Sequence, residues 1–233
     1  MSDPSKLVLI PGLGADAGLF RPQREFFGNR LVVPPWIEAE PEESLSSYAR
    51  RLGRTLDLPR PFWIGGISFG GMMAAEIAEE RPDDIAGLVL IGACTDRRQI
   101  TLPFRLAAKL GPRLPRGIVR GMLNRVVPTL FAAAEGVSND PLATSVLDEV
   151  AYRTDVSQLT WGARAIANWT GGAEPKVPTF RAHGRSDAVI PMRESDFRPG
   201  ADLVIEGGRH LIHLTHHEIV NRWIASKLDA PDV

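Results

Sequence analysis

A single cysteine, Cys94, stands among 233 residues, which excludes an intramolecular disulfide and gives no reason to expect an oxidising compartment. Its expected place is a buried, structural one. Long hydrophobic runs are also missing. The first apolar run, Leu7 to Ile10, is too short for a signal-peptide core or a bilayer span, so a cytoplasmic chain without a membrane span is expected. Nor does charge of one sign dominate: 27 Lys and Arg against 28 Asp and Glu leave a net charge of −1. Nucleic acid rewards a strongly basic domain and is not an expected partner.

What is present is the composition of an ordinary globular domain, 44% hydrophobic and 24% charged, with 22 Gly and 19 Pro to turn the chain often. Short apolar runs alternate with helical patterns. The strand candidates are Leu7 to Ile10, Leu31 to Val33, Phe62 to Ile64, Leu88 to Ile91, Val177 to Ala182 and Leu203 to Ile205. Most are apolar throughout, as strands covered by helices on both faces must be. The fold class expected is α/β, a mostly parallel sheet of about six strands.

Helical spacing is expected over Glu42 to Asp57 and over Phe69 to Glu80, the latter stopped by Arg81-Pro82. A last helix from about His216 to Leu228 is expected, with Thr215 and Glu218 as a capping box and Ile219, Trp223 and Leu228 as its apolar face. Residues 96–170 break the alternation. They carry several helical patterns, with Leu106, Leu110 and Leu114, then Ile118, Met122, Val126 and Leu130, recurring every four residues. The expected organisation is a core of residues 1–95 and 171–233 with 96–170 inserted as a helical cap.

The segment Phe62-Trp63-Ile64-Gly65-Gly66-Ile67-Ser68-Phe69-Gly70-Gly71-Met72 carries G-x-S-x-G between an apolar strand and a helix. In that setting the glycines let strand and helix close up while the serine hydroxyl is pushed out at the sheet edge, beside the helix N-terminal amides. Ser68 is therefore the candidate nucleophile, and the Phe69 N–H can face an oxyanion. Read with this turn, the chain resembles the α/β-hydrolase family over nearly its whole length except the cap. The resemblance implies that Leu9-Ile10-Pro11-Gly12-Leu13-Gly14-Ala15-Asp16 is the oxyanion loop, with Leu13 N–H as second donor. Pro11 stands where many relatives have His, and the family's first two strands have no counterpart here.

A serine needs a general base and a carboxylate to orient it. Of five histidines, His210 follows Gly207-Gly208-Arg209 on a loop beyond the last strand, and it is the expected base; in the family the catalytic His follows a small-residue turn at this place. His183, at a strand end, reads as backbone-bonded and structural. His213, His216 and His217 are reserves, expected on the surface. The spacing of His210, His213 and His216 raises a metal site, but no HExxH or Cys-rich pattern accompanies it, and no metal is expected. The resemblance places the acid at Asp187; Asp96, after the preceding strand, is the alternative.

From Arg97 to Ala134 there is no acidic residue, while Arg97, Arg98, Arg105, Lys109, Arg113, Arg116, Arg120 and Arg125 are basic. Arg105, Lys109 and Arg113 are spaced to share a helix face. The stretch reads as a solvated surface, or as one that attracts an anionic substrate or a membrane surface. Phe104, Phe131, Trp161 and Trp169 are candidates to line an acyl pocket.

The expected activity is that of a cofactor-free, carboxylesterase-like serine hydrolase acting on a small-molecule ester, losing activity as His210 protonates near an unperturbed pKa of about 6.5. The same triad on another bond (carbon–carbon hydrolysis, perhydrolysis or a lyase reaction) and a non-catalytic receptor on the fold are the alternatives.

Overall fold

The structure, a computed structural model, describes residues 5–125, 127–171, 175–198 and 202–230. Six strands, β1 (Leu7–Ile10), β2 (Leu31–Val32), β3 (Phe62–Ile67), β4 (Ile85–Ile91), β5 (Thr179–Gly184) and β6 (Leu203–Ile205), form one sheet. Every pairing is parallel, in the order β2-β1-β3-β4-β5-β6.

The alternation of side chains along β1 explains why the sheet is covered on both faces. Val8 and Ile10 pack with Tyr48, Leu52, Ile64 and Met73 on one side, while Leu7 and Leu9 pack with Phe20, Phe27, Trp63 and Ile224 on the other. Truncating such a fully buried side chain to Ala costs about 2–5 kcal/mol. By contrast an exposed ion pair contributes about 0–1 kcal/mol, so the two apolar layers hold the fold.

The first layer is built by α2 (Leu45–Arg54) and α3 (Phe69–Glu80), the second by α1 (Arg21–Phe27) and the C-terminal helices. Helix α2 is shorter than the spacing suggests because the Ser44 hydroxyl accepts the Ser47 N–H at 3.1 Å and fixes its start. Helix α3 has its expected bounds, with Arg81 and Pro82 ending it.

Among the described residues five α-helices lie between β4 and β5: α4 (Leu102–Leu110), α5 (Arg116–Arg125), α6 (Val127–Glu135), α7 (Pro141–Arg153) and α8 (Val156–Asn168). Gly111-Pro112 ends α4, so Arg113 lies in a separate 3-10 turn and does not share a helix face with Arg105 and Lys109. Leu114 likewise falls between helices, and Val126 lies outside the described residues. The two ends of this stretch meet: a side chain at Gly171 would press on the Thr95 carbonyl and the Arg97 N–H, each 2.9 Å from its Cβ position.

The C-terminus departs from expectation. A short helix α9 (Ile212–Thr215) precedes α10 (His217–Leu228), and no capping box forms. The Thr215 hydroxyl is instead engaged with the Leu211 carbonyl and His216 Nδ1. The buried face of α10 is Val220, Ile224 and Leu228, while Ile219 is exposed and Trp223 half-buried.

Candidate active site

Strand β3 runs straight into α3 through Ser68, whose φ of +53° and ψ of −121° lie where L-residues are strained by about 1–3 kcal/mol. The turn is held because the backbone is packed too tightly to relax. A Cβ at Gly70 would collide with the carbonyl oxygens of Ile10 and Pro11, so only glycine lets the start of α3 cross the end of β1. The Ser68 N–H donates to the Ile91 carbonyl at 3.1 Å, fixing the turn to β4 as well.

Phe69 is the first residue of α3, so its N–H has no partner within the helix. The loop after β1 faces the same spot. It is held by the Ala15 N–H on the Gly12 carbonyl at 3.0 Å, by Trp36 Nε1 on the Ala15 carbonyl at 2.6 Å, and by Thr154 Oγ1 on the Gly14 carbonyl at 2.7 Å. The Leu13 N–H makes no hydrogen bond among the described residues. Two free backbone donors thus flank the Ser68 turn.

Asp187 and His210 come from the loops after β5 and β6. Those loops are joined by backbone bonds, Arg185 N–H to the Ile205 carbonyl at 3.0 Å and Ser186 N–H to the Gly208 carbonyl at 2.9 Å. Asp187 Oδ2 lies 2.8 Å from His210 Nδ1, while Asp187 Oδ1 accepts the Val189 and Ile190 N–H groups at 2.8 and 2.9 Å. Both side chains are buried. Gly92, at φ +49°, packs against the pair, and a Cβ there would press on the His210 carbonyl at 3.1 Å.

Burial alone would raise the Asp187 pKa. The charge of His210 and hydrogen bonds from His183, His210 and the Ile190 N–H outweigh it and hold the carboxyl well below the usual range. For His210, burial would lower the pKa, but the Asp187 carboxylate, with a smaller contribution from Glu135, holds it above its ordinary value. Because an ionised carboxylate only accepts, His210 Nδ1 carries the hydrogen and Nε2 keeps a lone pair. A ring in that tautomer can take a proton from a hydroxyl.

Two further residues meet this site that the sequence did not assign to it. His183, expected to be backbone-bonded, does place Nε2 2.7 Å from the Ile190 carbonyl, yet the same nitrogen is 3.3 Å from Asp187 Oδ2. It therefore also supports the acid. Glu135, the last residue of α6, is buried and accepts the Leu211 N–H at 2.9 Å. Burial pushes its pKa up, opposed by the Leu211 N–H and by the charge of His210. Arg209 reaches the same helix end, donating to the Ala134 carbonyl.

The other candidates are placed plainly. Asp96 accepts the Arg98 N–H at 2.8 Å and pairs with its guanidinium, acting as the cap of a 3-10 turn; its carboxylate makes no hydrogen bond to a histidine. His213 corrects the expectation of a surface residue. It is fully buried on α9, edge-on to Phe20 at 5.7 Å, and burial pushes its pKa down to about 3. His216 and His217 are half-buried. Cys94 is buried, with its thiol pushed up to about 12. Among the described residues no three His, Cys, Asp or Glu side chains gather as a metal site.

A cavity of about 480 Å³ opens beside Ser68 and His210 under α4–α8. Leu13, Phe104 and Phe131 line it, with Met72, Leu147, Val150 and Ile166, and among the described residues no Asp, Glu, Lys or Arg does. Trp161 and Trp169 do not. Trp161 stacks on Tyr48 at 4.1 Å and donates to the Glu43 carbonyl, and Trp169 donates to Glu76 Oε1 at 2.6 Å, so both tie α8 to the core. None of the eight cations between Arg97 and Arg125 is among the residues that line the cavity.

Residues 7–223 match the profile described as the alpha/beta hydrolase family. The chain belongs to the α/β-hydrolase family. Its curated relatives include an uncharacterized protein of Mycobacterium tuberculosis (strain H37Rv), 25% identical over 88% of this chain and 69% of that protein. In structure this α/β-hydrolase is similar to a thermophilic esterase from Thermogutta terrifontis, with TM-score 0.72 and 19% identity over 96% of this chain and 89% of the other. It is also similar to the enol-lactonase from Burkholderia xenovorans LB400, with TM-score 0.71 and 16% identity over 98% and 93%. A bromoperoxidase from Bacillus anthracis shares the fold at TM-score 0.73 and 18% identity over 98% and 93%. The six parallel strands are the sheet of this fold, and no helix among the described residues is long and apolar enough to cross a membrane.

Proposed function

We propose that this α/β-hydrolase cleaves a carboxylic ester of an apolar, uncharged small molecule by two-step acyl transfer. The observation that carries the reading is a buried, hydrogen-bonded Asp187–His210 pair opening with Ser68 onto one cavity of about 480 Å³ that no Asp, Glu, Lys or Arg among the described residues lines. Ser68 Oγ attacks the ester carbonyl as His210 Nε2 takes its proton, and the Leu13 and Phe69 N–H groups hold the oxyanion. The imidazolium, stabilised by Asp187, returns the proton to the leaving alcohol. Water activated by the same His210 then releases the acid. Helices α4–α8 act as a cap that shapes the acyl pocket, with Phe104 and Phe131 on its wall. No step calls for a cofactor.

The test is intact-protein mass after treatment with a fluorophosphonate, on the wild type and on Ser68→Ala, followed by a panel of p-nitrophenyl esters of increasing acyl length. One adduct, lost in Ser68→Ala, with turnover that favours apolar over carboxylate-bearing acyl groups, is the expected result. A folded wild type that takes no adduct and turns over no ester would overturn the reading in favour of a non-catalytic receptor.

A further inference from the structure

The outer face of the cap, around the cavity mouth, is unusual in two independent respects. First, it is apolar and open: Leu102, Leu106 and Leu110, four apart on α4, are 61%, 48% and 57% exposed, and Ile118 on α5 is 52% exposed. Large exposed apolar side chains elsewhere, such as Phe26 and Ile219, are scattered in the sequence. Second, the face is basic without compensation. Arg105, Lys109, Arg113, Arg116, Arg120 and Arg125 form no ion pair among the described residues, and residues 97–134 contain no Asp or Glu.

The two features are continuous with the cavity. Phe104, Leu114 and Met122 line it and are also 40%, 44% and 42% exposed, so the apolar face surrounds its mouth. An apolar stripe flanked by unpaired cations matches the boundary of a lipid bilayer whose headgroups are anionic: the leucines enter the acyl edge while Lys and Arg meet phosphate. A second copy docking through the same face would set these cations against themselves.

We propose that the α4–α5 face docks this protein onto an anionic lipid bilayer, with Leu102, Leu106, Leu110 and Ile118 inserted and Lys109, Arg113, Arg116 and Arg125 at the headgroups. The cavity mouth then opens toward lipid, and an apolar molecule can enter without crossing water. The proposal concerns binding and stands apart from the bond that Ser68 attacks.

Co-sedimentation of the full chain with phosphatidylcholine vesicles, with and without phosphatidylglycerol, tests it. The wild type should pellet with the phosphatidylglycerol vesicles, weakly with phosphatidylcholine alone, and less as salt rises. Lys109→Glu/Arg113→Glu/Arg116→Glu and, separately, Leu106→Asp/Leu110→Asp should each reduce binding by about tenfold or more, with circular dichroism confirming that they fold. Wild type that stays in the supernatant with phosphatidylglycerol vesicles overturns the proposal, as does binding indifferent to salt and to charge reversal. Sedimentation equilibrium showing a dimer dissolved by Leu106→Asp/Leu110→Asp also overturns it, since a second copy would then cover the face.

Discussion

Glu135 Oε2 accepts the Leu211 N–H at 2.9 Å, so the end of helix α6 grips the residue that follows His210. The bond links the cap to the loop carrying the base. In the proposed mechanism Glu135 is a positioning residue, acting through His210 by geometry and by its charge. Glu135→Gln keeps an acceptor for Leu211 but loses the charge. It should hold kcat within a few-fold of wild type while moving the acid limb of the pH profile downward. Glu135→Ala loses both and should lower kcat/KM by about tenfold, the scale of one lost charge-assisted hydrogen bond. A pH–rate profile of both variants separates this role from a merely structural one.

The proposed ester hydrolysis takes its pH dependence from His210. The ring must be neutral to accept the Ser68 proton, and Asp187 holds its pKa above the ordinary value of about 6.5. Activity should therefore be full at alkaline pH and fall as pH drops through a midpoint above 6.5, higher than an unperturbed histidine would give. A midpoint at or below 6.5 in kcat/KM contradicts the Asp187–His210 coupling.

Asp187 and Asp96 are separated by one comparison. Asp187→Asn removes the charge that stabilises the imidazolium and should lower kcat/KM by about 10³- to 10⁴-fold. Asp96→Asn touches only a surface turn and should change it by less than about threefold. Steady-state rates on the best ester of the panel decide between them.

His213 links stability to acid. Its folded pKa of about 3 lies below the unfolded value of about 6.5, so between those values the unfolded chain binds a proton that the folded chain refuses. Its contribution is complete above pH 6.5 and is lost as pH falls toward 3. That loss is on the order of 3 kcal/mol between pH 7 and pH 4. Neither ring nitrogen has a hydrogen-bond partner, so His213→Leu should fold at pH 7 and flatten this part of the acid denaturation curve. Urea unfolding at pH 7, 5 and 4 measures it.

The nucleophile turn is legible in the sequence because everything that makes it is local: the strand, Gly66, Ser68, Gly70 and the helix follow one another without interruption. The apolar strands are legible for a similar reason, since burial on both faces leaves each run uniformly hydrophobic. His210 was legible from its loop beyond the last strand, but Asp187 needed the resemblance to a family, because 23 residues of chain separate two groups that meet at 2.8 Å. Glu135 was not legible: its bond to Leu211 crosses 76 residues and depends on how α6 seats on the core. His213 misled through composition, as a histidine-rich stretch reads as polar until α9 turns one ring inward against Phe20. Trp161 and Trp169 misled in the other direction, because an aromatic ring packed on Tyr48 has the same sequence signature as one facing a ligand.

The abutment of Gly171 on Thr95 and Arg97 has a consequence for how this protein can be altered. The five helices between β4 and β5 leave and rejoin the sheet at one seam, so they form a cassette whose exchange need not stretch or break the chain beneath. Ser68, Asp187 and His210 all sit on the sheet side of that seam, while Phe104 and Phe131 sit on the other. The proposed reaction chemistry and the outer wall of the pocket thus lie in separable stretches of sequence, joined by Glu135 to Leu211, Arg209 to Ala134, Thr154 to Gly14, Trp161 to Glu43 and Trp169 to Glu76, which any transplanted cassette must reproduce.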